Sequence, residues 1–215
     1  MPIYNGIEFV NDSVSSVIEQ TYENWELIIG INGHESESHV YKIAKKYESL
    51  SSKITVLDLY FISGKSKALN EMVKYAKYDH IAILDVDDVW HKTKLEIQHP
   101  FIHEYDVVGS KCIYFGENTH LHGIVPHTVP GDISHTDFFE FNPIINSSAI
   151  IKKEYCIWDG SLQLEDYDLW LSLRMKNKRF FNCHQILVKH RIHQTSAFNS
   201  KGNGNRVPEL LSKYR

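Results

Sequence analysis

The chain has 215 residues, 42% of them hydrophobic and 23% charged, with a net charge of -4 at pH 7. This is the composition of an ordinary globular protein with core enough for one large domain. The near-balanced charge, with no basic stripe, argues against a nucleic-acid partner, and no apolar run approaches the roughly 18 residues of a membrane span.

In chain order, residues 1–4 read as the end of a first strand, shorter than usual, which implies either a true start further upstream or a trimmed sheet edge. Residues 11–20 form a helix with Val14, Val17 and Ile18 inward, residues 25–31 a second strand, and Gly33 turns the chain. Residues 40–50 have helical spacing, residues 54–59 are strand-like, and residues 66–76 form a helix carrying Ala68, Leu69, Met72, Val73 and Ala76. The unbroken apolar run at residues 81–84 is expected to be a central strand buried on both faces. This alternation predicts a mostly parallel, Rossmann-like α/β sheet flanked by helices.

The second half is less regular. Residues 105–109 and 111–115 read as two strands, and residues 116–137 as an irregular polar loop with His120, His122, His127 and His135, whose spacings match no closed zinc site. Residues 144–152 return to strand character, residues 164–175 to a helix, and from Ser200 the chain reads as a flexible linker within a tail, 200–215. Cys112, Cys156 and Cys183 are odd in number with no metal-type spacing, and no signal peptide precedes them, so reduced, buried thiols in the cytoplasm are expected.

The most informative stretch is the apolar run that leads into Asp85, Asp87 and Asp88. Open α/β sheets bind ligands beyond the carboxyl ends of their strands. Clustered carboxylates repel one another, and a raised pKa or a bound cation must relieve this. In extended geometry Asp85 and Asp87, two apart, point the same way and can share a hard divalent ion. The alternative is an Asp-rich turn that caps the following helix.

Five segments, Pro2-Ile3-Tyr4-Asn5-Gly6, Gln20-Thr21-Tyr22-Glu23-Asn24-Trp25-Glu26-Leu27-Ile28-Ile29, Gly64-Lys65-Ser66-Lys67-Ala68-Leu69-Asn70, Leu84-Asp85-Val86-Asp87-Asp88 and Leu164-Glu165-Asp166-Tyr167-Asp168-Leu169-Trp170, together resemble family 2 glycosyltransferases over residues 2–196. The resemblance implies a GT-A fold over residues 1–199, with a nucleotide-sugar-binding half (1–90) fused to an acceptor-binding half (91–199). It implies metal-dependent, inverting transfer of a hexose or N-acetylhexosamine from a UDP-sugar to a hydroxyl of a glycan, a lipid-linked sugar or a protein, in the cytoplasm or peripherally at a membrane.

The same resemblance suggests roles that each residue can physically fill. Tyr4 offers its ring and Pro2 its backbone to the base. Asn32 stands where relatives carry an acid that reads uracil, and its amide can both donate and accept. Lys65, at a helix start, meets the diphosphate, while Lys67 is solvated. Asp85 and Val86 contact the nucleotide-sugar, and Asp87 holds Mn2+ or Mg2+, with manganese favoured if His193 of the His190-Arg191-Ile192-His193 segment also coordinates. Asp166 is the base that takes the acceptor proton, with Glu165 orienting it or binding acceptor. Tyr167 and Trp170 supply either a sugar-stacking surface or helix core, and Asp168 is structural. Two other readings fit the acidic cluster: a nucleotidyltransferase, and a catalytically silent nucleotide-sugar-binding module.

Overall fold

The computed structural model describes residues 1–117, 120–194 and 206–215. Its strands are β1 (Pro2–Ile3), β2 (Leu27–Asn32), β3 (Ile54–Leu59), β4 (His80–Ala82), β5 (Val89–Trp90), β6 (Val107–Gly116), β7 (Gly131–Asp132), β8 (Ile150–Lys152) and β9 (Phe180–Ile192). The helices are α1 (Val10–Ile18), α2 (His39–Lys45), α3 (Lys65–Met72), α4 (Lys94–Gln98), α5 (Glu165–Met175) and α6 (Val207–Ser212). β1, β2 and β3 pair in parallel in that order. Each connection carries a helix, because a parallel pair needs a crossover long enough to return the chain to the same end of the sheet. α1 faces this core with Val10, Val14 and Val17 buried, whereas Ile18, expected inward, is 36% exposed at the last turn.

A second, mixed sheet has the order β4-β8-β6-β9-β5, with β7 added against β9. The strand that leads to Asp85 therefore does not extend the parallel ladder by hydrogen bonding. β4 pairs antiparallel with β8 instead. The two strands expected at 105–109 and 111–115 are one continuous β6, whose register against the parallel β9 shifts around Lys111; the irregularity falls where the apolar run is interrupted by Ser110 and Lys111. Only the end of the strand expected at 144–152 is strand, because Asn146–Ser148 form a 3-10 turn before β8. β9 is unpredicted as a strand because its polar and apolar residues keep no steady alternation along thirteen positions.

The core on this side gathers Phe138, Ile151, Trp170, Leu171 and Phe180, all at or near full burial. α6 belongs to it: Leu210 is fully buried, Lys213 Nζ lies 2.9 Å from Asp159 and 2.8 Å from Asp168, and the Tyr214 hydroxyl donates to Asp168 at 2.9 Å. Residues 206–215 thus dock on the domain rather than trail from it, while the expected linker at 200–205 lies outside the described residues, as do Thr195 and Ser196. Cys112, Cys156 and Cys183 are free and buried, and burial pushes the first two thiols up to about 12. Leu210→Ala should lower the unfolding free energy by about 2–3 kcal/mol in chemical denaturation, as for a buried leucine truncation; an unchanged midpoint would mean that α6 contributes nothing to the core.

Candidate active site

The site forms where the ends of β1 and β2, the residues after β4, the first turn of α5 and the end of β9 converge. After β4 the chain does not stay extended. Asp88 N–H donates to the Asp85 carbonyl at 3.1 Å and closes a turn through Val86 and Asp87. Asp85 and Asp87 consequently engage different partners and do not share one, which corrects the expectation drawn from extended geometry. None of the three aspartates caps α4, which Thr93 precedes.

Asp85 Oδ1 lies 2.7 Å from Lys65 Nζ, its Oδ2 accepts from Asn146 Nδ2 at 3.0 Å, and its backbone N–H donates to Ser147 Oγ at 3.1 Å. Burial alone would raise its pKa, but the Lys65 charge and the hydrogen bonds from Lys65 and Asn146 outweigh it and hold the carboxyl below the usual range. Lys65, at the first position of α3, also lies 3.4 Å from Glu165 Oε1. Its ammonium is penalised by burial, and these carboxylates more than compensate, so its pKa rises. Lys67 points to solvent.

Asp87 Oδ2 lies 3.0 Å from His193 Nε2. Burial raises the Asp87 pKa, the neighbouring Asp88 and Asp85 charges raise it further, and the His193 hydrogen bond opposes them. Asp88 is 1% exposed: one oxygen accepts from Arg191 N–H at 2.9 Å and the other lies 3.1 Å from His190 Nδ1. Burial disfavours the His190 imidazolium, but the Asp88 carboxylate overrides it and pushes the pKa up to about 9. Arg191 Nε donates to the Asp87 carbonyl at 2.8 Å, and its Nη2 to Asp12 at 2.7 Å. Its guanidinium is held over the Phe9 and Phe115 rings, 4.6 and 4.3 Å from their centroids. Two histidines three apart, His190 near the end of β9 and His193 just beyond it, thus take two different aspartates.

At the end of β1 the Tyr4 ring is 56% exposed, so it is no core tyrosine. It sits 5.4 Å from the His34 ring, whose Nε2 donates to the Tyr4 carbonyl at 2.6 Å. Gly33 permits this approach: it has φ +73°, and a Cβ there would lie 2.8 Å from Tyr4 Cδ2. Asn32 closes β2 beneath them at 2% exposure, and Pro2 is buried in register with Gly30. Val86 is buried against Gly6, so only its backbone is left to meet a ligand.

Glu165 and Asp166 open α5, where carboxylates meet the positive end of the helix dipole. Asp166 Oδ2 accepts from Asn142 Nδ2 at 3.4 Å. Burial lifts the Asp166 pKa, Glu165 adds to that, and Lys65 opposes it. Tyr167 is 5% exposed with its hydroxyl donating to the Phe138 carbonyl at 2.6 Å, and Trp170 is fully buried. Both are core residues, and neither offers a ring to a sugar. Asp168 anchors Lys213 and Tyr214, a structural role as expected.

A family model described as Glycosyl transferase family 2 matches residues 1–161. The chain belongs to glycosyl transferase family 2. It is 32% identical over 206 residues, covering 94% of this chain and 79% of the relative, to the Escherichia coli UDP-Glc:alpha-D-GlcNAc-diphosphoundecaprenol beta-1,3-glucosyltransferase WfgD. It is 28% identical to the putative teichuronic acid biosynthesis glycosyltransferase TuaG of Bacillus subtilis strain 168, over 93% of this chain and 80% of that one. Among solved structures, Staphylococcus aureus TarS 1–349 in complex with UDP-GlcNAc superposes with a TM-score of 0.73 at 18% identity, covering 99% of this chain and 64% of that one. The mannosyltransferase PcManGT from Pyrobaculum calidifontis, in complex with GDP-Man and Mn2+, gives a TM-score of 0.70 at 13% identity, over 99% and 67%. The GT-A fold and the glycosyltransferase class expected from the sequence both hold. The chain spans about four-fifths of the curated relatives named here and under two-thirds of the TarS chain.

In this family 2 glycosyltransferase, Asn146, Ser147, Asn142, His34 and Arg191 support the site without having been singled out from sequence. Asn146 and Ser147 left a signal: a polar Asn-Ser-Ser cluster that interrupts an otherwise apolar run at 144–151. His190 makes the stability of the site pH-dependent. Its folded-state pKa, about 9, lies above the usual 6.5, so its contribution is complete below pH 6.5 and is lost as pH rises through 9. This contribution to the unfolding free energy should fall by about 1–3 kcal/mol between those values, so the difference between the unaltered chain and His190→Gln in denaturant titrations should shrink by that amount from pH 6 to pH 10. A difference that does not shrink would remove the Asp88–His190 pair as the source of the dependence.

Proposed function

We propose that this glycosyltransferase moves a hexose or N-acetylhexosamine from a UDP-sugar to a hydroxyl of a lipid-linked glycan, with inversion. Residues 1–90 hold the donor and residues 91–199 the acceptor. The observation that carries the reading is the meeting of Lys65 with Asp85 at 2.7 Å and with Glu165 at 3.4 Å, which joins a nucleotide-site carboxylate to the helix that bears Asp166. UDP is favoured by the Escherichia coli relative and by TarS, whose names carry UDP-Glc and UDP-GlcNAc. The lipid-linked acceptor follows the diphosphoundecaprenol in the name of that relative. Among the described residues no helix is long and apolar enough to cross a membrane; peripheral association with a membrane would suit a lipid-borne acceptor.

Two residues fit a divalent cation. Asp87 and His193 offer a carboxylate and an imidazole 3.0 Å apart, and the mutual repulsion of Asp85, Asp87 and Asp88 is what a cation relieves. Among the described residues no group of three or more His, Cys, Asp or Glu side chains is set to hold a metal. Asp87 and His193 would therefore hold Mn2+, or Mg2+, together with the diphosphate of the donor. When bound, the ion supplies Lewis-acid stabilisation of the departing nucleoside diphosphate.

The chain's own groups supply the rest. Tyr4 gives an exposed ring for the base to stack on, with Asn32 and the Pro2 backbone at its edge, and Asp85 and the Val86 backbone meet the ribose and sugar. Lys65, at the amino end of α3, counters the negative charge that grows on the leaving group. Asp166 takes the acceptor hydroxyl proton as that oxygen attacks the anomeric carbon from the face opposite the leaving group, and Glu165 orients the acceptor. Its raised pKa makes Asp166 a better proton acceptor than an ordinary carboxylate.

Asp166→Asn should retain UDP binding and lose at least about 100-fold in turnover, the usual range for a lost general base, measured as UDP released from UDP-glucose and UDP-GlcNAc with an acceptor. Near-normal turnover would remove Asp166 as the base, and release of pyrophosphate from nucleoside triphosphates would mark a nucleotidyltransferase instead. The rate should fall as pH drops through the Asp166 pKa. Lys65→Met removes the charge that holds that pKa down, so the acid limb of kcat/KM should move to higher pH; a limb that stays in place would separate Lys65 from the base.

A further inference from the structure

α3 carries Asn70 in its interior, where asparagine is a poor helix former because its side chain competes for backbone hydrogen bonds. Here that side chain is engaged twice elsewhere: its Nδ2 donates to the Trp158 carbonyl at 2.8 Å, and its Oδ1 accepts from the Trp158 N–H at 2.9 Å. The amide thus pairs with both backbone groups of one residue in the segment between β8 and α5, as a neighbouring strand would. Four residues earlier, on the same face of α3, lies Ser66, 7% exposed. A Cβ on Gly160 would sit 2.7 Å from Ser66 Oγ and 3.0 Å from Ser66 Cβ, so the segment passes the helix at a distance that only glycine allows. Gly160 lies outside the left-handed region, so the need is for space and not for conformation. The Trp158 ring, 3% exposed, joins Leu69, Tyr167 and Trp170 in the core and anchors the same stretch there.

This contact lies between the two halves of the site. Lys65 stands beside Ser66 at the start of α3, and the segment that α3 holds runs on through Gln163, at φ +58°, into Glu165 and Asp166. Leu164, the residue before α5, makes no side-chain capping bond, so the start of that helix takes its place from what precedes it. Lys213 also reaches Asp159 at 2.9 Å, but these side chains are 40% and 48% exposed, and exposed pairs hold little. We propose that Asn70 is a positioning residue: by clamping Trp158 to α3 it fixes the spacing between Lys65, on the donor side, and Glu165 and Asp166, on the acceptor side. The inference rests on the reading of Asp166 as the base. Asn70 acts on transfer through the start of α5 and takes no part in the chemistry. A displacement of about 1 Å between such groups costs on the order of 100-fold in rate.

The test compares the unaltered chain with Asn70→Ala, Gly160→Ala, Ser66→Gly and the double variant Gly160→Ala with Ser66→Gly. Three quantities are read: UDP released from UDP-glucose and UDP-GlcNAc with a lipid-linked N-acetylglucosamine as acceptor, UDP binding, and amide hydrogen exchange. Asn70→Ala and Gly160→Ala should each lower kcat about tenfold or more while KM for the UDP-sugar and Kd for UDP stay within about threefold. Exchange should quicken about tenfold or more over residues 160–168 and keep its rate in β2. Ser66→Gly clears the space that a Cβ at position 160 needs, so the double variant should return to the kcat and exchange of Ser66→Gly alone. Where Asn70→Ala is not recovered folded, Asn70→Asp, which keeps the bond from the Trp158 N–H and loses the other, should show the same loss. Full kcat in the Asn70 variant, UDP binding lost in step with kcat, or a Gly160→Ala defect that Ser66→Gly leaves in place would each overturn the proposal. Should the unaltered chain transfer neither sugar, the reading of the site falls and exchange decides alone: quickening confined to residues 160–168 upholds the clamp, and unchanged exchange there overturns it.

Discussion

The contact on which the site depends is the ion pair between Lys65 and Asp85, extended to Glu165. Three elements far apart in sequence meet there: the start of α3, the loop after β4 and the start of α5. The two carboxylates are mostly buried, with 23% and 16% of their side chains exposed, and the pairing with Lys65 offsets the cost of that burial. The consequence is electrostatic as much as structural. The same lysine that holds the Asp85 pKa down also restrains the rise in the Asp166 pKa, so one cation bears on the protonation of both carboxylates.

A second layer fixes the aspartate turn from behind. β9 brings His190, Arg191 and His193 to Asp88, the Asp87 carbonyl and the Asp87 carboxylate in turn. Arg191 is further clamped between two phenylalanine rings and Asp12. The turn is thus preorganised by a strand of the other half of the domain, with Asp88 spent on structure and Asp87 left facing His193. This division of labour gives the two adjacent aspartates separate partners within one turn.

The parallel half of the fold was legible because its strands are short continuous apolar runs separated by helical spacing, a pattern that burial on both faces imposes. The motif residues were legible as candidates, and their geometry was not. Asp85 and Asp87 read as neighbours on an extended strand, yet a single hydrogen bond from Asp88 turns them apart. Tyr167 and Trp170 could be read either way, because an aromatic on an acidic helix looks alike in sequence whether it faces a sugar or the core. β9 was hidden for a different reason: its side chains serve the site, the core and solvent by turns, so no period survives. α6 escaped because one buried leucine and two ion pairs of a lysine leave no run to detect.

If Asp87 and His193 hold a divalent ion that binds the diphosphate of a UDP-sugar, stabilisation by nucleotide must depend on that ion and on Asp87. Thermal unfolding of the protein with UDP, GDP, dTDP, CMP and ADP, each with manganese, with magnesium and with chelator, tests it most directly. At about 100 times its dissociation constant a nucleotide adds roughly 2.7 kcal/mol, or about 5–10 °C in a domain of this size. UDP with manganese should give this shift, chelator should remove it, and Asp87→Ala should lose it. Stabilisation by UDP that is indifferent to chelator and to Asp87→Ala would contradict that assignment.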